Sequence, residues 1–308
     1  MRLARQPAAA CRPRDPIGCG REAVAAWLLV LPALAGLVVF VLAPCAVVLA
    51  MAMTDWQLGS TTFNVVGLDN FHRLLTDPAV RISAENTVVY GLAVTAGSMM
   101  LGLGLALLIE ASTVGRAFFR SIFFLPAVST TVAMAIVWEF LLHPTLGPIN
   151  LLLGELGVPT VYFLSDPKLV LPTLAAIGIW ENAGFNMVLF LAGLKMIPSE
   201  LYQAAAIDGA DRPWERFWTV TFPMLGPTLL FATVITLLRC FKVFDIVAAI
   251  TQGGPQRASE VLLFTIYQEG FNFFHMGYAA ALTVAFVAVL VAIMAIQMRL
   301  LGRRVHYR

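Results

Sequence analysis

Charged side chains are scarce in this chain of 308 residues: Asp, Glu, Lys and Arg make up 12% of it, against roughly 25% in an ordinary soluble domain. That deficit excludes a water-soluble globular enzyme, because the 59% hydrophobic content needs a solvent other than water. Charge of one sign is also missing. A net charge of +2 gives neither the basic surface of a nucleic-acid binder nor the acidity of a disordered solubiliser, so nucleic acid is not an expected partner. Cys11, Cys19, Cys45 and Cys240 are scattered and form no C-x-x-C pair, which removes a disulfide framework and a thiolate metal site. Lysine is rarer still. Lys168, Lys195 and Lys242 follow Pro167, Leu194 and Phe241, so no Gly-Lys-Ser/Thr loop is available to cradle a nucleotide. No cofactor or metal is expected on this chain.

Long apolar runs are what the sequence has instead. A helix needs about 20 mostly apolar residues to cross a bilayer, and six runs qualify, near 25–53, 86–109, 121–142, 169–194, 224–251 and 277–298. None alternates with the period of a barrel strand, so the expected fold is an all-α integral membrane protein with six transmembrane helices. The first run follows Arg2, Arg5, Arg12, Arg14 and Arg21, and Ala33-Leu34-Ala35 imitates a signal-peptide cleavage site. Its apolarity continues to Met53 where a signal peptide would turn polar, which favours an uncleaved helix. The basic residues set the orientation. With the N-terminus inside, the inner segments hold 14 Lys and Arg and the outer segments four, so both termini are expected in the cytoplasm. The expected organisation is a cytoplasmic tail, 1–24, and a transmembrane domain, 25–308. The outer loops 54–85, 143–168 and 252–276 are long enough for short capping helices, and Ile149–Leu153 has an amphipathic pattern for one.

The inner loop 195–223 carries the most information. Pro198 stops the preceding run, Ser199 can cap a new helix, and the Ala-rich stretch propagates it until Gly209 supplies a left-handed end. Pro213 suits the first turn of a second short helix that bears Trp214, Phe217 and Trp218 at helical spacing, and Pro223 opens the fifth run. On physical grounds alone such a segment is either a rigid knob projecting from the membrane or an interfacial linker.

Charges inside an apolar run are costly and mark candidate sites. They are Glu139, Glu181, Arg239, Lys242 and Asp245. Glu139 lies near the outer end of its run, where it can reach water. Glu181 belongs to a cluster with Trp180, Asn182, Phe185 and Asn186, in which Asn182 and Asn186 share a helical face. Rings that pack on the C–H face of a pyranose and amides that bond its hydroxyls are the chemistry of a sugar path, and the same groups also glue helices together. Arg239, Lys242 and Asp245 recur at intervals of three. On a continuous helix Lys242 and Asp245 can pair, leaving Arg239 free, or the excess positive charge can attract an anionic solute. Gly253-Gly254-Pro255 is a turn at the outer end of the fifth run.

The wording of the inner loop resembles the EAA loop of ABC-type importer permeases, in its carbohydrate-uptake, maltose-permease-like branch. Gln203-Ala204-Ala205 and Asp208-Gly209-Ala210 fit that pattern, with Gln203 in place of the usual Glu, Phe222 in place of Leu, and Pro223 one residue late. Leu191-Ala192-Gly193-Leu194 with Ile197-Pro198, Phe244-Asp245, Thr251 to Pro255, Tyr267 with Phe271, Gly277-Tyr278, Leu31-Pro32-Ala33 and Thr54-Asp55-Trp56 extend the likeness over most of 25–300. The resemblance implies a multi-pass permease of a bacterial or archaeal cytoplasmic membrane. It pairs with a second similar permease, receives a carbohydrate from an extracytoplasmic binding protein, and couples to a cytosolic ATPase dimer that holds ATP and Mg. Gln203, Ala204, Ala205, Asp208, Gly209, Ala210, Trp214 and Phe217 are then the coupling surface. Trp180, Glu181, Asn182, Phe185, Asn186, Arg239, Lys242 and Asp245 are the path candidates. Glycerol 3-phosphate or another phosphorylated polyol is the alternative solute. An ion-coupled secondary transporter fits less well, since spans 1–3 and 4–6 show no self-similarity.

Overall fold

Apolar runs of this length fold as helices because each backbone amide is then satisfied within its own segment. The computed structural model describes residues 16–112 and 114–302, with side chains from 26 to 299. The tail 1–15 and Arg303, Arg304 and Arg308 fall outside the described residues. So does the share of the charge asymmetry that they carry. Among the described residues there is no β-strand, only an isolated bridge between Thr54 and Val65.

The chain divides into two units, Met1–Ala50 and Met51–Arg308. The first is built on α1, which begins at Pro16, nine residues before the expected span. It runs through Leu37 and a wider turn at Val38–Leu42 into Ala43–Met51. No break occurs at Ala33–Ala35, and the apolar stretch Ala26–Met51 buries none of its side chains.

The second unit has α2 (Asp69–Thr76), α3 (Pro78–Ala111), α4 (Arg116–Val128), α5 (Thr131–Leu141), α6 (Pro148–Glu155) and α7 (Val170–Lys195). After these come α8 (Ser199–Ile207), α9 (Pro213–Met224), α10 (Gly226–Phe241), α11 (Leu262–Tyr267) and α12 (Met276–Gly302). Short helices α2, α6 and α11 occupy the three loops expected outside. Among the described residues four helices, α1, α3, α7 and α12, are each long and apolar enough to cross a bilayer, and two bent pairs bring the total to six if each pair is one span.

Those bent pairs correct two expectations. The run 121–142 is not one helix: α4 and α5 meet at 98°. Pro126 cannot donate to the preceding turn, and Ser129 and Thr130 are both extended, which turns the corner. The run 224–251 is likewise divided. Pro223 lies inside α9, the bend of 67° falls between Met224 and Gly226, and α10 stops at Phe241. The backbone is irregular at Lys242–Phe244 before a wide turn at Val247–Thr251. Each run stays apolar on either side of its corner, and the short polar stretch Ser129-Thr130-Thr131 leaves the mean hydropathy of the first high enough for a span. The start of α3 is also earlier than expected, because Asp77 accepts from the Ala79 N–H at 2.9 Å and Pro78 fits the first turn.

The centre of this unit is α7, packed along α3 and flanked by α4 and α10. Close approach of α3 and α7 depends on small residues, as expected between helices in lipid. A Cβ at Gly102 would lie 2.8 Å from Asn186 Cβ and 2.9 Å from the Ala183 carbonyl oxygen. Beside it a polar junction closes three helices. Asn186, fully buried, donates from Nδ2 to Ser98 Oγ at 3.1 Å and accepts from Thr236 Oγ1 at 2.7 Å. Asn186→Ala is expected to leave Thr236 Oγ1 without its acceptor and Ser98 Oγ with only the Thr95 carbonyl, costing about 1 kcal/mol. A fluorescence-detected melting curve in detergent should show a lower midpoint, with uptake by the surviving protein close to normal.

At the end expected outside, Asn86 donates from Nδ2 to the carbonyls of Arg257 (3.1 Å) and Glu260 (2.9 Å), and Thr87 Oγ1 accepts from the Leu262 N–H at 2.8 Å. Ser259 Oγ bonds Thr251 Oγ1 (2.8 Å) and the Gly254 carbonyl (2.6 Å). The Gly253-Gly254-Pro255 turn is thus pinned to α3 and to its own base. Asp55 closes the 54–65 turn by accepting from the Asn64 N–H and Nδ2, which holds its carboxyl below the usual range.

Candidate functional site

Five of the eight path candidates meet at one cavity. Where α10 ends, the irregular Lys242–Phe244 segment faces α7, and the space between them, about 300 Å³, is lined by Glu181 and Asn182 together with Arg239, Lys242 and Asp245. Tyr90 from α3, Thr131 from α5 and Phe244 also line it, with Cys240, Val243 and Ile246. Non-helical backbone within an apolar region is tolerated where it lines a polar cavity, and here the break in the helix and the polar wall coincide. The volume is at the small end of ligand pockets, about 300–1,000 Å³. Two cations, Arg239 and Lys242, stand against two carboxylates, Glu181 and Asp245, so the wall has no formal excess of charge.

The other three candidates do different work. Phe185 lies under Arg239, whose guanidinium carbon is 4.6 Å from the ring centroid, so it orients the cation. Trp180 turns away. It meets Trp138 edge to face at 5.5 Å and lines a separate apolar hollow of about 380 Å³. Asn186 is committed to the three-helix junction. The expected pairing of Lys242 with Asp245 is also corrected: among the described residues they form no ion pair, because the helix that would put them on one face has already ended. Glu139 is exposed on α5 and is not part of the wall. Tyr90 and Thr131 carry no signal in the sequence that connects either to Glu181: Tyr90 follows two valines, and Thr131 ends the short polar stretch Ser129-Thr130-Thr131.

The inner loop folds into the two expected short helices. At the end of α8, Gly209 adopts φ +92°, its N–H bonds the Ala206 carbonyl at 3.2 Å, and the Ala210 N–H bonds the Ala205 carbonyl at 2.9 Å. This is the left-handed double closure that glycine favours. Ser199 is not the cap: Pro198 occupies that position and no side chain bonds the helix start. Residues 210–212 are non-helical and a wide turn spans Phe217–Thr221, so the extra residue before Pro223 lies in a stretch with slack. Glu215 accepts from the Arg212 N–H at 3.1 Å, and Arg216 Nε donates to the Ala210 carbonyl at 3.0 Å.

The proposed coupling residues separate by exposure. Gln203, Ala204, Asp208 and Gly209 are exposed, whereas Ala205 and Ala210 are half-buried. Ala204, Ala205, Asp208 and Ala210 line a cleft of about 350 Å³ with Leu201, Val220 and Pro223. Trp214 and Phe217 stand outside it. They stack at 6.1 Å within an aromatic group that includes Trp218 and Phe222, and Trp214 stays 67% exposed.

Residues 88–307 match the family described as binding-protein-dependent transport system inner membrane component. The chain belongs to that family. The matched stretch takes in the whole cavity wall and the entire 195–223 loop. The permease is 33% identical over 282 residues to the sn-glycerol-3-phosphate transport system permease protein of Agrobacterium fabrum, covering 91% of this chain and 96% of that one. It is 30% identical to a probable ABC transporter permease protein of Pyrococcus horikoshii, over 87% of this chain and 92% of the relative. Its fold matches a chain in the crystal structure of a bacterial ABC transporter involved in the import of the acidic polysaccharide alginate. The TM-score there is 0.82 at 24% identity, covering 93% of this chain and 99% of that chain. The family is a transport permease and not an enzyme.

Proposed function

We propose that this permease lines the solute path of an ATP-driven importer for a neutral carbohydrate or polyol. The observation that carries this reading is the gathering of Glu181, Asn182, Arg239, Lys242 and Asp245 at one cavity. Balanced donors and acceptors beside Tyr90 and Phe244 suit hydroxyl groups and an apolar sugar face. Arg239, Lys242 and Asp245 are all exposed in the single chain. Charges in an apolar segment do not face lipid, which supports a second, similar permease closing the path from the other side. Each bent helix pair then counts as one span, giving six, with both termini and the 195–223 loop in the cytoplasm. That loop docks a cytosolic ATPase dimer, where ATP and Mg are held, and an extracytoplasmic binding protein delivers solute to the opposite face. The tail 1–24 precedes the transmembrane domain 25–308.

A second reading rests on the relatives named for sn-glycerol-3-phosphate transport: the solute is that anion or another phosphorylated polyol, and Arg239 and Lys242 hold its phosphate. The assembled importer in proteoliposomes, supplied with its binding protein, decides between them. Uptake of labelled sugars or polyols that is unaffected by excess glycerol 3-phosphate supports the first reading. Uptake of glycerol 3-phosphate itself supports the second.

A further inference from the structure

A basic hollow lies away from the solute cavity, where the last turn of α3, the first turns of α4 and the last turn of α7 converge. Its volume is about 180 Å³, and Glu110, Arg116, Arg120 and Lys195 are its charged groups. Arg116 is already engaged: Nη1 is 3.8 Å from Glu110 Oε1, Nη2 donates to the Glu110 carbonyl at 2.6 Å, and Nε donates to the Ser112 carbonyl. Arg120 and Lys195 are exposed and have no acidic partner among the described residues. The hollow therefore has two uncompensated positive charges.

The same three helices, with Met134 of α5, also line the separate apolar hollow of about 380 Å³, which takes in Leu101 and Leu105 of α3, Ile122 and Phe123 of α4, and Ala183 of α7. Leu105 is one turn from Ile109 in the wall of the basic hollow, about 6 Å along the helix. Phe123 is likewise one turn from Arg120. A cationic pocket at the helix ends thus lies one helical turn from an apolar groove between the same helices. Phe118 and Phe119, between Ala117 and Arg120 on the same helix, are exposed. A small soluble anion uses only the first of these features. A molecule with an anionic head and a hydrocarbon tail uses both.

We infer that this seam binds an anionic phospholipid of the cytoplasmic leaflet, its phosphate between Arg120 and Lys195 and one acyl chain in the groove below. The inference rests on the inward orientation of 110–120 and is independent of which solute is carried. The test is native mass spectrometry of the full-length chain released from nanodiscs made of equal parts phosphatidylglycerol and phosphatidylethanolamine. Wild-type chain is expected to retain phosphatidylglycerol preferentially, and Arg120→Gln/Lys195→Gln to lose about tenfold of that preference. Arg120→Lys/Lys195→Arg, which keeps the charge, should behave as wild type, and matching elution of all three proteins on gel filtration controls for folding. Equal retention by the neutralised variant overturns the inference, as does retention of both lipids alike. Stabilisation of the delipidated chain by inorganic phosphate to the same extent as by phosphatidylglycerol also overturns it, since the groove would then play no part. Because the readout is lipid retention, failure here leaves the transport reading intact.

Discussion

A chain with Ala204→Arg is expected to insert into the membrane in normal amount, melt at the wild-type temperature and support no uptake. Ala204 is exposed on α8 and lines the cleft between α8 and the residues leading into Pro223, so a long charged side chain there has room in the isolated permease. If α8 docks the ATPase as proposed, the same side chain meets a surface that seats alanine. An uncompensated charge buried there costs about 3–5 kcal/mol, which is two orders of magnitude or more in association. Copurification of the ATPase and initial uptake rates measure the loss. Normal values for both would refute the coupling role of α8. Ala204 is a cleaner probe than its neighbours. Ala205 packs on the buried group that includes Leu194, Ile197 and Val220, so a charge there also disturbs the loop itself. At Gly209 a Cβ meets no atom within 4 Å, and a substitution is disfavoured by φ +92° alone. Its effect is therefore on the path of the chain between α8 and α9, and only through that on the partner.

How far the sequence reached depended on whether a feature was local. The limits of α7 were legible to within one residue, because its apolar run is continuous and Lys195 and Pro198 close it. The left-handed end of α8 was legible too, since glycine after an Ala-rich stretch enters the left-handed region without a Cβ penalty. The corners at Ser129 and Lys242 were not. Both sit in runs that are apolar on either side, and Lys242–Phe244 has no proline or glycine to mark it. There Phe241 before the break, Val243 within it and Ile246 and Val247 after it are buried, so tertiary packing sets the chain direction. The same limit applied within the polar cluster of α7. Asn182 and Asn186 share a helical face, yet Asn182 lines the cavity while one turn further on α3 and α10 have closed over Asn186. Residue type is the same at both positions, and only the neighbouring helices distinguish a path residue from interhelical glue.

The balanced charges of the cavity make a second prediction, and it bears on the solute. With two cations and two carboxylates on one wall, Glu181→Gln or Arg239→Gln leaves an uncompensated charge within an apolar part of the bundle. Such a charge costs about 2.5–3.5 kcal/mol at a helix centre. Open water in the cavity lowers that figure, so each single change is expected to reduce initial uptake by about ten- to a hundredfold. In the double variant the charge is balanced again. If the two groups serve a neutral solute, Glu181→Gln/Arg239→Gln should recover most of the uptake lost by either single variant, because changes that share a site do not add. An anionic solute gives a different pattern. Arg239→Gln would then be far more damaging than Glu181→Gln, and the double variant would stay as poor as Arg239→Gln, since restoring neutrality does not restore a phosphate ligand. Phe185→Leu is the control for geometry: it removes the ring beneath the guanidinium without changing any charge, so uptake should fall while its sensitivity to charge balance is kept.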